Sequence, residues 1–160
     1  MQAVIINALA DLPKELITFL MAMIPGFELK AAMPVAVLKL NLSFGWAFLW
    51  STLGSFSMGA VFFGLFNWLL KKILKKFIAA ERLWIRTIGS LREIYKRGFR
   101  IWEGGLLILF IIIPLPGFGS FFAALLAALV QTDAKKALAY LWLGNILSGI
   151  IIMEILIGLK

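Results

Sequence analysis

The sequence has no cysteine and no histidine among its 160 residues. The missing cysteines exclude disulfides, thiolate metal sites and cysteine nucleophiles. The missing histidines exclude imidazole ligands and any Ser–His catalytic arrangement. Because so few nucleophiles and bases remain, we expect no enzymatic activity and no bound cofactor or metal. No basic residue precedes Ala3-Val4-Ile5-Ile6, so we also expect no cleavable signal peptide.

Charged residues are scarce as well. They make up 15% of the chain against 62% hydrophobic residues, and the mean hydropathy is +1.00. A soluble domain of this length cannot hide that much apolar surface, so lipid must be the solvent. We therefore expect a single integral membrane domain over residues 1–160, with an all-α fold.

Most of the charge has one sign and lies in one place. Residues 71–100 hold ten Lys and Arg and two Glu, which accounts for the whole net charge of +8. Between apolar runs such a block indicates a cytoplasmic position rather than a nucleic-acid partner. Apolar residues recur through 71–102 with a period near 3.6, which predicts an amphipathic segment on the membrane surface. It serves either as a linker or as a contact for lipid phosphates. Its first basic residues are Lys71, Lys72, Lys75, Lys76, Arg82 and Arg86.

Two apolar runs are interrupted by residues that cannot continue a helix. The breaking residues are Pro25 and Gly26 in the first run and Pro114, Pro116 and Gly117 in the second. Each run therefore predicts two half-helices around a broken tip. Together these form a re-entrant hairpin or, as an alternative for the first run, a pair of tilted helices broken at the tip. A pair of such interrupted segments indicates a transporter site at membrane depth.

Two other apolar runs are uninterrupted and predict full transmembrane helices. Residues 44–70 contain no charge, and residues 134–159 follow a polar cap, Gln131-Thr132-Asp133. Each run follows one of the broken hairpins. We therefore divide the chain into repeat 1 (about 12–70), the linker 71–102, and repeat 2 (about 103–159).

Short sequence matches support this internal repeat. Pro25-Gly26-Phe27 recurs 91 residues later as Pro116-Gly117-Phe118, and Leu53-Gly54-Ser55 recurs 90 residues later as Leu143-Gly144-Asn145. If the basic block is cytoplasmic, the first transmembrane helix runs inward. If the second hairpin also re-enters on the cytoplasmic side, Lys135 and Lys136 lie inside, as basic residues prefer, and the second helix runs outward. The two repeats then have opposite orientations and form an inverted repeat.

Two motifs resemble those of the small multidrug export protein family. Glu28-Leu29-Lys30-Ala31-Ala32-Met33-Pro34 resembles that family's Glu-Leu-Arg-Gly-Ala-Ile-Pro, and Pro114-Leu115-Pro116-Gly117-Phe118-Gly119 is similar to its Pro-Leu-Pro-Gly-Thr-Gly. Lys30 stands where the family has arginine, and Phe118 where it has threonine. The family is similar to the DedA/VTT superfamily, which implies paired re-entrant hairpins and transport or lipid translocation across the bilayer.

An ionisable side chain within an apolar run is a candidate functional site, and Glu28 is the best placed one. Three interpretations stay open: a proton or cation site, a polar anchor where the two hairpins cross, or a cap for exposed amides. Lys30 is predicted either to pair with the other hairpin or to meet an anionic headgroup. Asn145 is predicted to bond a neighbouring backbone, with an open hairpin tip as the candidate partner. The predicted substrate- or ion-binding residues are Glu28, Lys30, Pro25, Gly26, Pro34, Pro114, Pro116, Gly117 and Asn145.

The function expected from these features is that of a small transporter in the prokaryotic cell membrane, crossing it more than once. It would move a lipid carrier or small amphiphile by a proton- or ion-coupled, alternating-access mechanism. The alternative is a non-transporting scaffold or lipid-organising protein. Membrane lipids are the expected partners. With only two full transmembrane helices, 160 residues build a thin structure, which favours homo-oligomers.

Overall fold

A computed structural model describes residues 12–76, 103–113 and 119–158 of the chain. Within these ranges there are six helices and no strand, in agreement with the predicted all-α class. The helices are α1 (Lys14–Ala22), α2 (Glu28–Leu38), α3 (Phe44–Lys76), α4 (Glu103–Ile112), α5 (Ser120–Leu129) and α6 (Ala134–Gly158).

Both interrupted runs are divided between two helices. The turn from α1 to α2 contains Pro25 and Gly26, and Gly26 has a φ of +85°, a conformation that glycine adopts without steric cost. The predicted break in the first run is therefore confirmed. In the second run α4 and α5 lie on either side of the predicted break, but Pro114, Pro116 and Gly117 themselves lie outside the described residues.

The helices α3 and α6 are long and apolar enough to cross a membrane, over Phe44–Lys72 and Ala134–Gly158. Only 28% of the most apolar part of α3 and 39% of that of α6 is buried, whereas the core helix of a soluble protein is mostly buried. Large apolar side chains such as Val61, Trp68 and Ile155 are at least half exposed. This surface favours lipid as the surrounding medium.

The helix α3 is longer than predicted. The predicted helix ends at residue 70 and a separate surface segment begins at Lys71, but the observed helix continues through Lys76. Residues 65–76 contain no glycine or proline, and lysine is a good helix former. The end of the apolar run is therefore not an end of the helix. The remainder of the predicted segment, including Arg82 and Arg86, lies outside the described residues.

The predicted cap of α6 is confirmed. The side-chain oxygen Oδ1 of Asp133 accepts hydrogen bonds from the backbone N–H groups of Lys135 at 3.1 Å and Lys136 at 3.4 Å. These donors have no partner within the helix, so the carboxylate satisfies them and offsets the positive end of the helix dipole. The cap sets the start of α6 at Ala134.

The helices α3 and α6 form the centre of the packing. Both contact α2 and α5 and each other, while α1 packs on α3 and α4 packs on α6. One core cluster joins α3, α4, α5 and α6, and the four buried residues that α5 contributes to it are all alanines. A second cluster joins α2 to the start of α3 and the end of α6. Small side chains on α5 thus let its neighbours approach closely.

Glycines at positions 54 and 144 lie at two close helix contacts. A Cβ atom added at Gly54 of α3 would overlap the backbone carbonyl oxygen of Phe19 in α1. A Cβ added at Gly144 of α6 would lie 2.6 Å from Ile111 Cδ1 in α4. The pairs α1–α3 and α4–α6 therefore lie so close together that a residue larger than glycine at position 54 or 144 would clash with the neighbouring helix.

Substitution of Gly54 tests this packing. We expect Gly54→Ala to lower the free energy of unfolding by about 1–3 kcal/mol, because the added methyl group meets backbone that cannot rotate away. The matched control is Gly64→Ala in the same helix, where an added Cβ has no neighbour within 4 Å. Alanine there should be neutral or stabilise by up to about 1 kcal/mol. Denaturation in detergent, followed by tryptophan fluorescence, measures both; equal effects would contradict the close contact.

Candidate functional site

The site begins at the turn between α1 and α2. Glu28, the first residue of α2, has a φ of +47°, in the left-handed region that costs a residue with a side chain about 1–2 kcal/mol. Such conformations persist only where the surrounding structure holds them, and they concentrate at functional sites. Glu28 is also buried, with 6% of its surface exposed.

The carboxylate of Glu28 bonds to a different helix from its own. Its Oε2 accepts a hydrogen bond from the backbone N–H of Ser120 at 2.9 Å, and its Oε1 accepts one from that of Phe121 at 3.1 Å. These are the first amides of α5, which have no partner within that helix. A carboxylate at this end also meets the positive end of the helix dipole. Glu28 is therefore a cap for the second interrupted run, supplied by the first.

Glycine at position 119 makes this contact possible. A Cβ atom added at Gly119 would overlap the Glu28 carboxyl group. Any side chain there would displace the carboxylate from the amides of α5. The close approach of a polar group to backbone is one of the situations that require glycine.

Lys30 contacts the other side of the same break. Its ammonium Nζ donates a hydrogen bond to the backbone carbonyl of Ile113, directly after α4. A cation at a helix C-terminus satisfies a free carbonyl and offsets the negative end of the dipole. Of the two alternatives for Lys30, the structure has a contact with the second interrupted run. Glu28 and Lys30 thus bind the backbone on both sides of the break in the second interrupted run.

A buried hydroxyl and amide extend the cluster from Glu28 into the two long helices. Ser120 Oγ donates to Asn145 Oδ1 of α6 at 2.9 Å and lies 3.1 Å from Ser55 Oγ of α3. Asn145 Nδ2 donates to the carbonyl of Leu141 at 2.8 Å. The prediction that Asn145 bonds the backbone of a hairpin tip is therefore wrong. Its backbone partner is Leu141 in its own helix, because an asparagine side chain can reach the carbonyl one turn earlier. Its contact with α5 is the Ser120 side chain.

The structure brings some of the predicted residues together and separates others. Glu28, Lys30 and Asn145 lie in one cluster, and Pro25 and Gly26 form the turn that precedes it. Pro34 lies further along α2, about 9 Å along the helix axis from Glu28.

Of the predicted basic residues, Lys71 and Lys72 are exposed at the end of α3, and Lys72 Nζ lies 4.8 Å from the centre of the Trp68 ring. The helix α3 also contains Lys75 and Lys76. In the part of the chain that the structure describes, no three His, Cys, Asp or Glu side chains are grouped as metal ligands are.

Two members of the cluster, Ser55 and Ser120, were missed by the sequence analysis. The repeat contained a signal for Ser55, because it occupies the place in Leu53-Gly54-Ser55 that Asn145 occupies in Leu143-Gly144-Asn145. Ser120 had no such signal. A serine after a glycine is common, and only the fold shows that its hydroxyl meets both long helices.

The contact of Lys30 with Ile113 predicts a measurable loss of stability. We expect Lys30→Met to lower the free energy of unfolding by about 1–3 kcal/mol, because methionine keeps the apolar stem but leaves the partly buried carbonyl of Ile113 without this donor. Lys39→Met is the matched control, since Lys39 follows the end of α2 and is exposed. Denaturation of both variants in the same detergent gives the comparison. A loss as large in Lys39→Met would show that net charge, rather than this contact, determines the stability.

The match to known proteins covers this site. The model of the family described as "Putative small multi-drug export protein" matches residues 28–151, more than three-quarters of the chain. A comparison with curated proteins found no match, and neither did a comparison with solved structures. The matched residues begin at Glu28 and include Lys30, Ser120 and Asn145. The chain therefore belongs to the small multi-drug export protein family.

Proposed function

We propose that this chain is a small membrane transporter that moves a lipid carrier or small amphiphile by rearranging two inverted halves. The observation that carries the proposal is the buried Glu28, an ionisable residue that joins the two interrupted runs. An acid away from water is costly and is kept where it has a role. The family description, which names export, supports the same class of function.

The helix contacts support two related halves. If α1 is matched with α4, α2 with α5 and α3 with α6, each main packing pair has a counterpart. For example, α1 packs on α3 as α4 packs on α6. Gly54 lies against α1 as Gly144 lies against α4. Residues at equal repeat positions thus have similar surroundings, as an internal repeat requires.

The first half has the contacts of a hairpin. The helix α1 runs alongside the start of α3 in the same direction, because the Phe19 ring lies 6.3 Å from that of Trp50, and Ala22 lies against Gly54. The helix α2 then returns along this part of α3, and its Val37 shares a core cluster with residues near the start of α3. These contacts support a hairpin that enters and leaves beside the N-terminal end of α3.

The second half has the same arrangement at the opposite end. The helix α4 runs alongside the start of α6, with Gly104 against Tyr140 and Ile111 against Gly144. The helix α5 then returns to the N-terminal end of α6. The helices α3 and α6 are antiparallel, because Gly149 of α6 lies beside Phe48 while Gly59 of α3 lies beside Leu141. These contacts support two hairpins that enter from opposite ends. We infer that the basic end of α3 is cytoplasmic, by the positive-inside rule.

This topology predicts a labelling pattern in intact cells. The chain has no native cysteine, so single cysteines can be introduced without background. Ser90→Cys, in the basic block, and Ala134→Cys, at the start of α6, should both resist an impermeant thiol reagent. Ser43→Cys, which is exposed before α3, should react and serves as the positive control. Labelling of Ala134→Cys from outside would mean that the second interrupted run crosses the membrane completely.

Glu28 is the proposed coupling residue. In the described arrangement its charged form accepts two N–H groups of α5, and a proton on the carboxylate would remove one acceptor and the charge that favours the helix end. Protonation, or competition from an incoming anion for the same amides, would therefore loosen one half from the other. This links occupancy at Glu28 to the rearrangement that transport requires.

Removing the charge of Glu28 tests this role. We expect Glu28→Gln to lower the stability by about 1 kcal/mol as a weakened cap and to abolish the pH dependence of uptake into liposomes. Glu154→Gln is the matched control, since Glu154 is an exposed acid on α6. Uptake of a fluorescent amphiphile and of a lipid-phosphate carrier, each at two pH values, is measured with a melting curve on the same sample. If uptake by Glu28→Gln depends on pH as it does in the native chain, Glu28 is a cap for α5 and not a coupling residue.

One observation favours the second candidate, a non-transporting scaffold. Glu28, Ser55, Ser120 and Asn145 are all buried and hydrogen-bonded to one another or to backbone, which is a closed arrangement. A scaffold needs no opening of this cluster. If no substrate is taken up by the native protein in liposomes while it remains folded, the scaffold is the better proposal.

Under either function we propose membrane lipids as partners and a homo-oligomer as the assembled state. We also propose that the family is related to the DedA/VTT superfamily.

A further inference from the structure

A cleft lies away from the Glu28 cluster, at the end of the molecule where α3 leaves its apolar run. It has a volume of about 370 Å³ and separates the C-terminal part of α3 from the connection between α5 and α6. Its polar lining residues are Asn67, Lys71, Gln131 and Thr132, and the others are small or apolar. Residues far apart in sequence thus line one space, and their side chains carry an ammonium group, two amides and a hydroxyl.

The chemistry of this lining suits an anion. Each of the four polar side chains has at least one hydrogen-bond donor, and Lys71 adds a full positive charge. Among the described residues that line the cleft, none is acidic. The nearest acid in sequence, Asp133, bonds instead to the backbone amides that it caps at the start of α6. A negatively charged group in the cleft would therefore meet donors and a cation.

Thr132 indicates that a partner is missing. Only 8% of its surface is exposed, and its Oγ1 has no hydrogen-bond partner anywhere in the described ranges. Buried hydroxyl groups are nearly always hydrogen-bonded, so an unpaired one needs an explanation. Thr132 is one of the residues that line the cleft, so a group bound there is a candidate for this partner.

The position of the cleft indicates where the anion comes from. The apolar run of α3 ends at Leu70, and Lys71 and Lys72 follow it immediately. Trp68 lies beside Lys72, an aromatic–lysine pair of the kind found where a transmembrane helix leaves the hydrocarbon region. This is the depth at which the phosphate groups of membrane lipids lie.

We propose that this cleft binds the phosphate group of an anionic membrane lipid. Lys71 provides the charge, Thr132 Oγ1 donates from the buried wall, and Asn67 and Gln131 contribute amide donors. Lysine recognises phosphate as a point charge and needs no bidentate geometry. The inference goes beyond the proposed function and does not depend on it, because a lipid held here would serve a scaffold as well as a transporter.

Thermal stabilisation of the full chain in detergent tests the site, since a ligand that binds only the folded state raises the melting temperature. The probes are short-chain phosphatidic acid, the matching diacylglycerol without phosphate, and inorganic phosphate. We expect phosphatidic acid to raise the melting temperature and diacylglycerol to leave it unchanged. The apparent affinity for phosphatidic acid should fall about tenfold in Lys71→Gln and about fivefold in Thr132→Val, from the loss of one charged and one neutral hydrogen bond.

Two matched variants separate the site from general surface charge. Lys72→Gln removes the same charge one residue away from the cleft, and Thr132→Ser keeps the hydroxyl, so both should bind phosphatidic acid like the native chain. No stabilisation of the native chain, or an equal loss in Lys72→Gln and Lys71→Gln, would overturn the proposal. Equal stabilisation by inorganic phosphate would overturn the assignment to a lipid and identify free phosphate as the ligand. Because the Glu28 uptake assay involves other residues, either proposal can fail without the other.

Discussion

The free backbone groups at a broken helix are the constraint on which the rest of this structure depends. A helix that stops inside an apolar region leaves N–H and C=O groups that lipid cannot satisfy. Here Glu28 supplies acceptors to the N–H groups at the start of α5, and Lys30 supplies a donor to the carbonyl after α4. Two side chains of α2 thus stabilise a break that lies in the other half of the chain.

Small residues make these polar contacts geometrically possible. Gly119 lets the Glu28 carboxylate reach the amides of α5, while Gly54 and Gly144 bring the long helices against α1 and α4. The alanines of α5 have the same effect on their neighbours. Since lipid gives little hydrophobic drive for helix association, close packing and buried hydrogen bonds must hold the helices together. The stability of the fold and the geometry of the cluster therefore come from the same residues.

This dependence also connects structure with the proposed function. The cluster that joins the two halves contains one acid, one cation and three neutral polar side chains, so its stability responds to the charge of Glu28. A contact of this kind can hold a closed state and be released by a proton or a competing anion. The cleft at Lys71 and Thr132 shares no lining residue with this cluster, so the proposed lipid-phosphate site is separate from the proposed coupling residue.

Composition and local backbone chemistry were enough to predict the coarse structure. The shortage of charge predicts a membrane protein, Pro25 and Gly26 predict the break between α1 and α2, and Asp133 predicts the start of α6, because each acts through its own segment. Only the tertiary structure shows that Glu28 caps α5, since the bonded residues are 92 positions apart. The same holds for Ser120, whose role depends on which helices pack around it. A helix end specifies that a partner is needed, but packing decides which residue supplies it.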